Sequence, residues 1–315
     1  GVGARAYAQA ICVYLSFALD KLADYNSSIC SWLTLRDGVR NTFARQAIPM
    51  VWNFTEANPF SNSSGCWDNM LDWVYKALGA LPGKGVGKAD QFDAQSDNGL
   101  RNIMISTDPP YYDNIGYADL SDFFYLWLRR TLIKVYPEIF KTMLVPKVEE
   151  LIATPYRFDG SEIKAREYFE NGMLRSFEQV YKYSSDDIPV TIYYAFKQTE
   201  TEESESSNNT SSTGWEAMLS AIIQAGFTIT GTWPIRTEMM NRPSSIDANA
   251  LASSIVLVCR KRPVDAPVCT RRDFINTLKR ELRPALQKLQ ASNIAPVDLA
   301  QSAIGPGMAV YSRFS

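Results

Sequence analysis

Apolar positions recur at helical spacing over residues 4–24, where Leu15, Phe17, Ala18 and Leu22 leave few polar sides, and again over 66–79 through Trp67, Leu71, Val74 and Leu78. Between them, 53–65 is rich in Asn, Ser and Pro and reads as loop. Ile103-Met104-Ile105 is a short continuous apolar run with the length and composition of a buried parallel strand. The pattern over 118–135 predicts a strong helix. Asp119 and Asp122 fall near its start, and Arg129, Arg130 and Lys134 toward its end, as a helix dipole favours. A helix over 161–183 precedes a β-rich run from Ile188 to Phe196, and the acidic low-complexity stretch 198–212 predicts a mobile surface loop. A helix from Trp215 to Ala225, strands over Phe227–Trp233 and Ser254–Cys259, and a last helix over 271–291 complete the pattern. This order predicts an α/β fold whose last two strands form an antiparallel pair.

Composition narrows the chemistry. The 315 residues are 46% apolar, which suits one α/β domain over 1–315: a helical lead-in (1–100), a sheet core (101–262) and a C-terminal helical extension (263–315). The formal net charge of −2 offers no overall basic field, so a nucleic-acid partner would need a local basic face. Histidine is absent, which removes Ser-His-Asp and Cys-His catalysis, histidine-ligated zinc and imidazole acid–base chemistry. The five cysteines are scattered and form no C-x-x-C pair, so neither a disulfide framework nor a metal site is expected. Reduced thiols and the lack of any apolar run of membrane-spanning length predict a cytoplasmic protein with no membrane partner. The glycine-rich stretch 79–87 matches neither a Walker A loop nor G-x-G-x-x-G after a strand.

The apolar run at 103–105 stops on Asp108-Pro109-Pro110-Tyr111. Two prolines cannot continue a sheet ladder and hold φ near one value, so the polypeptide leaves the strand in a stiff loop at its carboxyl end, where open α/β sheets bind ligands. Such a loop supplies what methylation of an exocyclic base amine needs. Adenine N6 is a poor nucleophile because its lone pair is delocalised into the ring. A carboxylate oxygen of Asp108 and the C=O of Pro109, each accepting one N–H, localise that pair. Tyr111 can stack on a base taken out of the duplex. No covalent intermediate and no histidine are required. The plainer reading is a rigid turn with a half-buried tyrosine. Against it, Tyr112 and Tyr117 add more aromatic surface than a turn needs. Arg129 and Arg130 read either as phosphate contacts or as partners of the helix dipole.

Residues 106–130, STDPPYYDNIGYADLSDFFYLWLRR, resemble amino-group DNA methyltransferases, and more narrowly the large adenine-specific methylases that carry an inserted zinc ribbon. The segments 41–52, 249–259 and 304–310 resemble the same family. The resemblance implies a Rossmann-like S-adenosylmethionine-dependent methyltransferase sheet with an antiparallel last strand, S-adenosylmethionine as cofactor and DNA as partner. It also implies Asp108, Pro109, Pro110 and Tyr111 as the catalytic set, with Asp108 facing the cofactor as well. The family's acidic motif, which contacts the cofactor's adenine amine, maps to Asp93-Ala94, with Asp90 and Asp97 as rivals. Tyr112, Tyr117, Arg129 and Arg130 are the implied substrate-binding residues. Aspartate as the first residue of the tetrad points to adenine, since the cytosine-N4 enzymes of this type usually carry serine there. Methylation of cytosine N4 or of an RNA base is the alternative within enzymes. A non-catalytic DNA-binding scaffold of a defence system is the alternative outside them.

The family's aromatic-x-Gly-x-Gly cofactor loop and the acidic residue that holds the ribose are not found in the sequence. The resemblance therefore predicts the later part of a methylase, lacking its first strands, with the glycine-rich loop on an upstream portion of the polypeptide or on a partner subunit.

Overall fold

The computed structural model describes residues 2–35, 37–44, 47–48, 50–81, 83–113, 115–194, 208–236, 253–291 and 305–314. Contacts divide the protein into two compact units, Gly1–Asp90 with Ile115–Glu150, and Gln91–Asn114 with Leu151–Ser315. The boundaries drawn from composition at 100/101 and 262/263 do not coincide with this division.

The first unit is built on helices α1 (Val2–Tyr25), α2 (Trp67–Ala80) and α3 (Tyr117–Leu132), with a short antiparallel hairpin of β1 (Ser31–Leu33) and β2 (Gly38–Arg40). Asp24, at the end of α1, organises the segment after the hairpin. Its carboxylate accepts from the Phe43 N–H and from Asn41 Nδ2, and its C=O accepts from the Thr42 N–H. Phe43 thereby meets the rings of Phe123 and Phe124 on α3. Further along α3, Asp122 accepts from the Val145 N–H and pairs with Lys147, while Tyr125 and Leu132 pack with Phe140.

Asp20, one turn before Asp24 on α1, has a buried Oδ1 without a hydrogen-bond partner among the described residues. Desolvation raises its pKa to about 7. The folded state thus holds a proton that the unfolded polypeptide releases near pH 4. The stability this group contributes is present below that pH and is lost as pH rises toward 7. Asp20→Asn is expected to melt like the wild type at pH 4 and several degrees higher at pH 8. A melting difference independent of pH would contradict the assignment.

The second unit holds a four-stranded mixed sheet of β3 (Ser106–Thr107), β4 (Val190–Tyr194), β5 (Phe227–Arg236) and β6 (Ser253–Lys261), in the order β3-β4-β6-β5. β3 and β4 are parallel, whereas β6 runs antiparallel to both of its neighbours. The protein is accordingly a mixed α/β fold. Helices α4 (Glu162–Tyr183), capped by the Ser161 hydroxyl on the Lys164 N–H, and α5 (Asn208–Gln224) pack with the sheet. Ala165, Phe169, Met173 and Phe177 recur every fourth residue on α4 and are all buried. On β4, Val190, Ile192 and Tyr194 are buried in strict alternation. Helix α6 (Arg271–Ala291) follows β6, and residues 305–311 are again helical. There Gly305 lies so close to Thr232 of β5 that any Cβ would overlap the threonine side chain. The Ser312 hydroxyl accepts from the Ile229 N–H. No helix among the described residues is long and apolar enough to cross a membrane.

Two expectations need correction. Ile103-Met104-Ile105 is not a strand buried on both faces. It continues into β3 at the sheet's edge, with Met104 71% exposed and Ile103 and Ile105 half-buried. An edge strand has one neighbour only, so a short apolar run fixes its type and not its depth. The loop expected over 198–212 also ends early, because Asn208–Ser212 already belong to α5. Residues 198–207 lie outside the described ones.

Candidate active site

The tetrad stands where the proline argument places it, at the carboxyl end of a parallel strand. Ile103 is fixed at the amino end, donating from its N–H to the Tyr183 C=O and accepting from the Ser185 N–H. The Ile105 C=O accepts from the Thr191 N–H, and the ladder ends with Thr107 opposite Ile192. Pro109 and Pro110 follow at the point where an edge strand tolerates the loss of its N–H donors.

Asp108 is exposed, and its Oδ1 accepts from the Tyr111 hydroxyl at 2.7 Å. Among the described residues it has no cationic partner. Tyr111 is half-buried, its ring 5.0 Å from that of Tyr194 in an edge-to-face contact at 76°. Tyr194 in turn stacks on Trp215 of α5, at 5.1 Å and 14°. Both rings are buried, which raises the Tyr194 hydroxyl well above the ordinary phenol range, and the Trp215 indole N–H has no acceptor among the described residues. Tyr194 and Trp215 were not singled out from sequence. The signal for Tyr194 lies in the alternation of β4, which turns its last described residue toward the core beside the end of β3.

Tyr112 anchors the loop to the core. Its φ of 48° is a left-handed conformation that costs a non-glycine residue ~1–2 kcal/mol. Three contacts hold it there. Its C=O accepts from the Ala153 N–H, its ring meets Phe169 edge-to-face at 5.1 Å, and Gly214 opens the space its Cβ approaches. Burial raises the Tyr112 hydroxyl's pKa, and a hydrogen bond with Arg166 of α4 acts in the opposite sense. Arg166 is a further neighbour of the loop that the sequence did not announce.

The remaining expected residues have surroundings of their own. Asp93 is exposed and engaged by its own turn: its carboxylate accepts from the Gln95 N–H and the Ser96 hydroxyl. The segment after it is tethered to Tyr183, whose hydroxyl donates to the Ser96 C=O and accepts from the Asn98 N–H. This tether is at the amino end of the edge strand, and Asp108 is at its carboxyl end. Extended backbone from Ile103 to Asp108 spans ~16 Å at 3.3 Å per residue. Asp93 and the exposed Ala94 sit in a turn that Asp93 caps itself. The rival Asp97 is bound to Arg101 and to the Gly99 N–H, which hold its carboxyl down at about 2. Asp90 pairs with Lys88. Tyr117, Arg129 and Arg130 belong to the first unit. There Tyr117 and Arg130 are exposed, and Arg129 Nε donates to the C=O groups of Phe140 and Thr142, a structural use of one donor proposed for phosphate.

The geometry of the tetrad provides an outward carboxylate held by a phenol, a backbone carbonyl from a half-buried proline and a half-buried aromatic ring on a stiff corner. No family model, curated protein or solved structure matches the sequence.

Proposed function

We propose that this protein holds the base-binding site of an S-adenosylmethionine-dependent methyltransferase that acts on the exocyclic N6 amine of adenine in DNA. The observation that carries this reading is Asp108: an exposed carboxylate at the carboxyl end of a parallel strand, bonded to the hydroxyl of Tyr111 and to no cation among the described residues. A carboxylate that merely stabilised a turn would be capped by its own backbone, as Asp93 is. The antiparallel last strand, inserted between β4 and β5, supports the reading at the level of the sheet.

In this reading Asp108 and the Pro109 C=O each accept one N–H of the amine, and the Tyr111 ring lies against the base. The amine nitrogen then carries a localised lone pair, and the loop's stiffness sets its direction of attack. The cofactor supplies an activated methyl group. Asp93 and Ala94 remain the residues this reading assigns to its adenine amine, with Asp108 beside its methyl group. The glycine-rich loop that completes its pocket is assigned to another portion of the polypeptide or to a partner subunit. The exposed Arg130 is the better phosphate contact of the arginine pair.

The test is product analysis. DNA from cells producing the full-length protein, digested to nucleosides and examined by mass spectrometry, is expected to contain N6-methyladenine above the level in cells lacking it. N4-methylcytosine, or methylated bases confined to RNA, would redirect the assignment to the alternative substrates. Unmodified DNA and RNA would leave only the scaffold reading.

A further inference from the structure

The Tyr111 hydroxyl is placed by a continuous series of contacts that starts in the core. Trp215 and Tyr194 are 7% and 3% exposed and stacked on each other, Tyr194 meets the Tyr111 ring, and Tyr111 donates to Asp108 Oδ1. A tyrosine whose only task is to stack on a base has no use for this bond, because phenylalanine offers the same face.

We propose that Tyr111 is a positioning residue, whose hydroxyl holds the Asp108 carboxylate in one orientation while the Tyr194–Trp215 stack fixes where that hydroxyl stands. The inference rests on the methyltransferase reading and adds a second role to one of its residues. An exposed aspartate turns about two side-chain bonds, and each turnover would otherwise have to order it against the amine. The bond to Oδ1 removes that freedom and leaves Oδ2 as the acceptor for a substrate N–H. The two prolines keep the aspartate and tyrosine at a constant separation, so the phenol reaches one oxygen.

Tyr111→Phe separates the roles, since it keeps the ring and removes the hydroxyl. Its kcat for methyl transfer to DNA is expected to fall roughly ten- to hundredfold, the weight of one hydrogen bond to a charged group, with KM for DNA unchanged. Tyr111→Leu, which also removes the ring, is expected to raise KM as well. A crystal structure of the Tyr111→Phe protein is expected to show the Asp108 carboxylate in more than one rotamer. Wild-type kcat in Tyr111→Phe, or an Asp108 carboxylate still held in its present orientation, would overturn the positioning role. A wild-type protein without transferase activity on any nucleic acid overturns the parent reading. The Asp108 rotamer in the variant crystal decides the positioning role separately.

Discussion

Asp108→Ala is expected to reduce methyl transfer by two to three orders of magnitude while leaving the fold intact. The residue is exposed, and its one bond among the described residues is with a half-buried tyrosine, so its truncation opens no cavity and strands no buried charge. Its melting temperature should stay within a degree or two of the wild type. The catalytic cost is of another kind. With the carboxylate gone, one of the two acceptors that localise the amine's lone pair is missing, and a preorganised group aimed at developing charge is worth ~10²–10³ in rate. Asp108→Asn should fall between the two, since the amide oxygen still accepts an N–H but carries no charge to balance the ammonium that forms on transfer. Tritium transfer from S-adenosylmethionine to DNA, measured on full-length protein, reads all three. An Asp108→Ala protein that methylates at wild-type rate would remove the tetrad from the chemistry. One that loses activity together with its melting transition would make Asp108 a structural residue.

How far the sequence carried depends on the range of each interaction. Helices over 2–25, 67–80, 162–183 and 271–291 were legible because an apolar stripe repeats over several turns in each. The strands at 190–194, 227–236 and 253–261 were legible because their β-branched and aromatic residues are bounded by turn residues. The hairpin of β1 and β2 was not, since three residues carry no usable period. The division into two units was invisible for a different reason. It joins 1–90 to 115–150 and places 91–114 with the later residues, and contacts between distant segments leave no trace in local periodicity. The site shows the same split. Asp108 and the diproline corner were readable because their chemistry is contiguous. Tyr194 and Trp215 reach the tetrad only through strand register and helix packing, which no contiguous motif records.

Phe169→Ala is expected to be the most destabilising single truncation near the site, because Phe169 belongs to both the core and the loop. It is fully buried on α4, in the row of Ala165, Met173 and Phe177, and its ring meets Tyr112. Truncating a buried phenylalanine costs ~3–5 kcal/mol through lost burial and the cavity left behind. For a unit of this size that lowers the melting temperature by roughly 10 °C, read by calorimetry. Phe169→Leu, which keeps most of the volume, should recover the larger part of that loss. The consequence reaches the chemistry because Tyr112 sits at a φ of 48° and has no local reason to stay there. Its conformation persists because Phe169, Gly214 and the Ala153 N–H determine it together. Remove the ring and the residue directly after the tetrad can relax toward an ordinary backbone conformation, shifting Tyr111 and with it the carboxylate its hydroxyl holds. Methyl transfer should therefore fall in Phe169→Ala even at temperatures where the protein remains folded. A variant that melts within two or three degrees of the wild type would show that Tyr112 is held by other contacts.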